Sequence, residues 1–259
     1  MVRKILAWCV HAYTALGLVA AGGMAVAIFR ETPESFRFAF ILMFLATLVD
    51  ATDGTLARAV KVKEVLPRFD GRRLDDIIDF QTYTSLPLLL IWRAGLLHGE
   101  SPAWLLAPLL ASIYGFCQTT AKTDDGYFLG FPSYWNIVAF YLYLLEPLAW
   151  FTIGLLLFFA FMTFVPARYL YPTHRGRLNR YTNWFGGVWA ILLIAILLRM
   201  PTSRLEEGNV DGLTHILTLI SLLFPTYYLL VSWAISMRIA MRAYRQRRRE
   251  RLASSLPAK

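Results

Sequence analysis

Eight mostly apolar stretches follow one another along the chain, at residues 6–29, 36–58, 74–97, 103–120, 134–148, 149–168, 182–199 and 213–237. A helix needs about 20 apolar residues to cross the hydrocarbon of a bilayer. In lipid, only helices and closed barrels satisfy every backbone N–H and C=O. The pattern therefore predicts an all-α, polytopic transmembrane helix bundle of about eight spans. Charge content agrees: 17% of residues are charged, against about 25% in soluble domains. The first stretch follows Arg3 and Lys4 as a secretory leader would, but it is too long for a leader's apolar core and further stretches come after it. It is expected to be a retained span. The fifth stretch is short, and Pro147 separates it from the sixth; six spans would give the same sidedness as eight.

Charge supplies the orientation. With the N-terminus in the cytoplasm, all but five of the 26 Lys and Arg residues fall on the cytoplasmic side. The exceptions are Arg30, Arg37, Arg93, Arg199 and Arg204. This asymmetry follows the positive-inside rule and predicts that both termini are cytoplasmic. One membrane domain is expected over residues 1–240, followed by a basic cytoplasmic tail, 241–259, which continues the last helix. A net charge of +9 could suit nucleic acid, but a basic cluster beside a span meets anionic lipid head groups at about 1 kcal/mol per charge. No nucleic-acid partner is expected. Cys9 and Cys117 both lie in apolar runs and read as inert buried thiols.

Acidic residues near spans are costly and default to a functional reading. The second stretch ends with Asp50, Asp53, Gly54, Ala57 and Arg58; the third opens with Gly71, Asp75, Asp76 and Asp79. Helical neighbours lie three and four residues apart. Asp50 and Asp53 therefore share a face with Gly54 and Ala57, while Asp75 and Asp79 share one with Gly71. Asp76 falls off that stripe. A short loop joins the two helices, so they are expected to be antiparallel neighbours with their acidic faces converging at the cytoplasmic surface. Clustered carboxylates repel in a low dielectric, and hard divalent cations, Mg²⁺ or Mn²⁺, suit their oxygens. Two such ions about 3.5–4 Å apart could clamp a phosphoryl group. The small residues Gly54 and Ala57 would let a ligand approach the backbone. The bland alternative pairs these acids with Arg58, Arg68, Arg72 and Arg73. A rival from another class is a cation transporter with intramembrane aspartates, which would spread its acids over several helices near the midplane.

The eight positions Asp50, Asp53, Gly54, Ala57, Arg58, Gly71, Asp75 and Asp79 match the D-x-x-D-G-x-x-A-R…G-x-x-x-D-x-x-x-D signature. On them the chain resembles the CDP-alcohol phosphatidyltransferases. Most members have eight residues between the Arg and the Gly; here twelve separate Arg58 from Gly71, about one extra helical turn. That spacer, the length and the span count are similar to the bacterial phosphatidylcholine synthase branch. The stretch from Asp125 to Asn136 looks like that branch too.

The resemblance implies a metal-dependent reaction of CDP-diacylglycerol with an alcohol, releasing CMP. It implies that Asp50, Asp53, Asp75 and Asp79 hold two divalent cations, with Asp79 also the general base. Gly54, Ala57, Arg58 and Gly71, together with Asp53, would border the CDP-diacylglycerol. Many members carry an Asn three residues before a Thr in the first span; here His11 precedes Thr14, and both are candidates for that site. The branch implies choline as acceptor, with serine as the alternative. It also implies a homodimer in a bacterial inner membrane, its active site facing the cytoplasm. A quaternary ammonium has no N–H to donate, so aromatic faces must recognise it. Tyr127, Tyr134, Trp135 and Asn136 are the candidates, with Asp124 or Asp125 near them. Lys122, Arg168, Arg175 and Arg177 would suit an anionic acceptor instead.

Overall fold

The computed structural model describes residues 1–121, 123, 126–170, 177–200 and 212–254. Lys122, Asp124, Asp125, Arg175 and Arg204 lie outside the described residues.

Helix α1 (Val2–Arg30) buries one stripe, Ala7, Val10, His11, Thr14, Gly17, Ala21, Met24 and Ala27, at helical steps of three and four. Val19 and Val26 point outward and stay exposed, as lipid-facing residues do. The chain reverses through Glu31, left-handed at φ 52°, into α2 (Pro33–Val60). A reciprocal cap starts α2: Thr32 Oγ1 accepts from Ser35 N at 3.2 Å, and Ser35 Oγ accepts from Thr32 N at 2.9 Å. These bonds satisfy donors that the first turn would leave bare. Lys61, left-handed at φ 55°, ends α2. The one-turn helix α3 (Val62–Val65) follows. Part of the loop between the acidic helices is thus itself helical, and Val62 seats it against Ala7 and Val10.

The third stretch is one helical run in three parts. Helix α4 (Gly71–Asp79) is capped by Asp70, whose Oδ1 accepts from Arg73 N at 3.1 Å. A π-helical segment, Phe80–Ser85, leads into α5 (Leu86–Arg93). The run starts three residues before the expected 74 and stops four before 97. Pro87 accounts for the wide turn. It has no N–H for the Tyr83 carbonyl and its ring would crowd that oxygen; the Leu86 N–H instead reaches back five residues to Gln81 O.

A 3₁₀ turn, Pro102–Leu105, opens α6 (Leu106–Cys117). Then come α7 (Trp135–Leu145), α8 (Ala149–Phe164), α9 (Arg177–Arg199), α10 (Gly212–Ser221) and α11 (Leu223–Ser254). Helix α11 runs unbroken from the last apolar stretch into the basic tail. Among the described residues, four helical stretches are long and apolar enough to cross a membrane: Val2–Arg30, Pro33–Val60, Arg177–Arg199 and Gly212–Glu250. The apolar helices Pro102–Cys117, Trp135–Leu145 and Ala149–Phe164 are shorter. The protein is an all-α membrane protein.

The apolar pattern did not reveal a two-stranded antiparallel ribbon, β1 (Tyr127–Leu129) with β2 (Arg168–Leu170), paired Phe128 to Tyr169. Unpaired strand edges are intolerable in apolar surroundings, and α11 satisfies this one. Tyr228, Ser232 and Ser236, four residues apart, line up along β2: the Tyr228 hydroxyl donates to Leu170 O at 2.9 Å, Ser232 Oγ accepts from Leu170 N at 3.3 Å, and Ser236 Oγ accepts from Arg168 N.

Three of the five basic residues that broke the charge asymmetry have structural partners. Arg93 pairs with Glu31. Arg37 Nη2 donates to Leu198 O at 3.1 Å, and Arg199 Nε to Thr214 Oγ1 at 3.2 Å.

Candidate active site

Helix α1 packs on both α2 and α4 and so sets the position of the acids. The approach is close: a Cβ on Gly17 would lie 2.6 Å from Ile78 Cγ2. Asp50, near the end of α2, meets Asp75 and Asp79 of α4. One carboxylate oxygen from each lies within 4.8 Å of the other two. At an effective dielectric near 20, each such pair of charges repels by about 3 kcal/mol. The donor set, three half-buried carboxylates converging on one point, fits a hard divalent cation.

Asp53 is not in this trio. It is buried, and its Oδ2 accepts from the Thr14 hydroxyl at 2.7 Å. Three residues advance a helix by about 300°, so Asp50 and Asp53 diverge by about 60°, enough to aim one at α4 and the other at α1. Thr14 thus joins the acidic centre directly. Asp76 turns away and pairs with Arg72 at 4.0 Å, both exposed.

Tyr83 was not anticipated. From the π segment its hydroxyl donates to Asp50 Oδ2 at 2.7 Å and also meets Thr47. The signal was present: Gly71, Asp75, Asp79 and Tyr83 are each four residues apart, so the acidic stripe continues onto it. A hydrogen bond to a charged group contributes about 1.5–3 kcal/mol. Tyr83→Phe is therefore expected to lower turnover roughly tenfold or more with the fold intact, read from steady-state kinetics and thermal unfolding.

The remaining signature positions do not all open to a ligand. The Arg58 guanidinium lies over Gly54, with Nη1 3.4 Å from where a Cβ would be, and Nη2 donates to Thr55 Oγ1 at 3.0 Å. Ala57 packs against the small cluster of Ala7, Val10 and Val62. A Cβ on Gly71 would meet His11 Cε1 at 2.5 Å. The His11 ring is buried, 4.4 Å from Phe69 between ring centroids, and its Nε2 has no hydrogen-bond partner among the described residues.

Among the aromatic candidates, Tyr127 carries the Arg168 guanidinium over its ring at 5.8 Å. Trp135 is fully buried and donates from Nε1 to Ser112 Oγ at 2.6 Å. Asn136 donates to Thr47 Oγ1 at 3.5 Å, which brings the start of α7 beside the Tyr83–Asp50 pair. Tyr134 faces Tyr228, ring centroids 6.2 Å apart.

Fold and site together define a class: an all-α membrane protein with a carboxylate centre where two neighbouring helices meet. No family model matches the chain. It is 40% identical over 205 residues to the phosphatidylcholine synthase of Pseudomonas aeruginosa, an alignment covering 77% of this chain and 83% of that one. Identity to the phosphatidylcholine synthase of Legionella bozemanae is 36% over 180 residues, 66% of this chain and 83% of the relative. With that of Borreliella burgdorferi it is 33% over 211 residues, 80% and 88%. The chain belongs to the phosphatidylcholine synthase family, a branch of the CDP-alcohol phosphatidyltransferases, and is an enzyme of that branch.

Proposed function

We propose that this protein transfers the phosphatidyl group of CDP-diacylglycerol to choline, giving phosphatidylcholine and CMP. The observation that carries the reading is the convergence of Asp50, Asp75 and Asp79 oxygens within 4.8 Å. The names of its relatives support the choice of substrates. Asp50, Asp53, Asp75 and Asp79 hold two divalent cations, Mn²⁺ or Mg²⁺. When bound, these supply charge that offsets the pyrophosphate and the departing CMP. Tyr83 and Thr14 fix the Asp50 and Asp53 carboxylates. Asp79 accepts the proton of the choline hydroxyl. The freed oxygen forms a bond to the diacylglycerol-linked phosphorus as the bond from that phosphorus to the CMP oxygen breaks. His11, Thr14, Asp53, Gly54, Ala57, Arg58 and Gly71 border CDP-diacylglycerol; Tyr127, Tyr134, Trp135 and Asn136 are proposed on the choline side.

The same reading includes eight spans in a bacterial inner membrane, with both termini and the acidic centre cytoplasmic. Its supports are the charge asymmetry and the helices α1 to α11, which lie along all eight apolar stretches. One domain over 1–240 with a basic tail over 241–259, and the homodimer implied by the resemblance, belong to it as well.

The test supplies purified protein in lipid with CDP-diacylglycerol and labelled choline, serine, inositol or glycerol 3-phosphate. Choline alone is expected to label lipid, with equimolar CMP. A chelator should abolish release, and Mn²⁺ or Mg²⁺ should restore it. Serine incorporation without choline would replace the acceptor. No CMP release with any alcohol would favour a transporter.

A further inference from the structure

Four aromatic rings close a loop beside the start of α7. Phe131 and Tyr134 have centroids 6.5 Å apart, Tyr134 and Tyr228 6.2 Å, Tyr228 and Tyr169 6.3 Å, and Tyr169 and Phe131 6.4 Å. These separations exceed those of rings in direct stacking here, such as Phe131 on Phe159 at 4.5 Å. Along these four sides, in the same order, the ring planes turn by 82°, 60°, 32° and 76°. Were the four centroids the corners of a square, its centre would lie about 4.5 Å from each, inside the roughly 6 Å reach of a cation–π contact.

We infer that Phe131, Tyr134, Tyr169 and Tyr228 form an aromatic box for the quaternary ammonium of the acceptor, an inference that rests on the choline-transfer reading above. Two observations set the chemistry. First, the polar ends in the box have fixed partners: the Tyr134 and Tyr228 hydroxyls meet each other. The Tyr169 hydroxyl accepts from Trp233 Nε1 at 3.0 Å, and the Tyr228 hydroxyl donates to Leu170 O at 2.9 Å. These bonds fix the rings and leave π faces as the recognising surface. A methylated cation, which has no N–H to satisfy, suits that surface better than a primary amine, which needs acceptors. Second, two alternative aromatics are occupied: Arg168 covers Tyr127, and Trp135 is buried against Ser112.

The box also adjoins the reacting centre. Asn136, two residues beyond Tyr134, donates to Thr47, and Thr47 meets the Tyr83 hydroxyl that donates to Asp50. Two of the box residues come from outside the Asp125–Asn136 stretch. Tyr169 is held by the β ribbon, and Tyr228 by the α11 stripe that caps it. On this reading the ribbon exists to carry Tyr169 into the box.

The test compares choline with 3,3-dimethylbutan-1-ol, its uncharged isostere, as acceptor for the full-length protein. Wild type is expected to favour choline. Tyr134→Leu and Tyr228→Leu should each lower that preference about tenfold or more, through KM for the acceptor, with KM for CDP-diacylglycerol unchanged. Tyr228→Phe, which keeps the ring, should retain more of the choline preference than Tyr228→Leu. Unchanged preference in both Leu variants would overturn the box. Should a Leu variant not fold, phenylalanines of increasing fluorination at 134 and 228 keep the shape and weaken the ring face. The box then requires log KM to rise with each fluorine, and a flat series overturns it. Calorimetric binding of tetramethylammonium separates the box from the transfer reading. Binding by wild type and its loss in Tyr228→Leu support the box even if choline is not a substrate, whereas no binding by wild type overturns it.

Discussion

Asp79→Asn is expected to lower kcat by a factor of about a thousand or more while the protein folds and still binds CDP-diacylglycerol. General base catalysis contributes typically 10²–10⁴-fold. An amide keeps the shape of the carboxylate but cannot take the choline proton. It also removes one of the three charges whose oxygens converge within 4.8 Å, which weakens the hold on a divalent cation. The two losses separate by titration. A shift in the apparent affinity for Mn²⁺ reports the ligand role, and a kcat that stays low at saturating Mn²⁺ reports the base role. Turnover near that of wild type at saturating metal would sink the assignment of Asp79. Asp76→Asn is the internal comparison. Asp76 is spent on an exposed pair with Arg72, and exposed pairs contribute about 0–1 kcal/mol, so its loss should change activity little.

Gly71→Ala should be nearly as damaging for a different reason. The added methyl would meet His11 Cε1 at 2.5 Å, and the buried ring packs against Phe69 and Trp8, which must give with it. Overpacking of this kind costs about 1–3 kcal/mol. Strain at the first residue of α4 would also displace Asp75 and Asp79 from Asp50. A fall of roughly a hundredfold in kcat/KM is expected, because a misplacement of about 1 Å can cost that much. The remedy is specific: Gly71→Ala with His11→Ala should recover activity relative to Gly71→Ala alone, by relieving the clash. A double-mutant cycle measures this coupling, and strictly additive losses would show that Gly71 matters for some other reason.

Much of the site was legible because helix geometry is local. The four-residue steps Gly71, Asp75, Asp79 fix one stripe whatever surrounds it, and the same rule set Asp76 apart. The twelve residues between Arg58 and Gly71 suggested an extra turn, and α3 supplies it. Element boundaries were less legible. The third run begins at Gly71 and not 74, because Asp70 caps it, and a polar first turn is invisible to an apolar count. Nor could that count see the ribbon, whose strands are only three residues each.

The sequence alone determined an all-α membrane protein and the two acidic stripes of its candidate site, since apolar length and helical period depend only on neighbours along the chain. Tertiary structure decided the rest. It turned Asp53 to Thr14, brought Tyr83 onto Asp50 through the π turn before Pro87, set His11 in the space that only a glycine at 71 leaves open, and closed four rings from α11, β2 and the start of α7. Each of these joins residues from separate elements, and such contacts are settled by how whole helices pack, which no local period encodes.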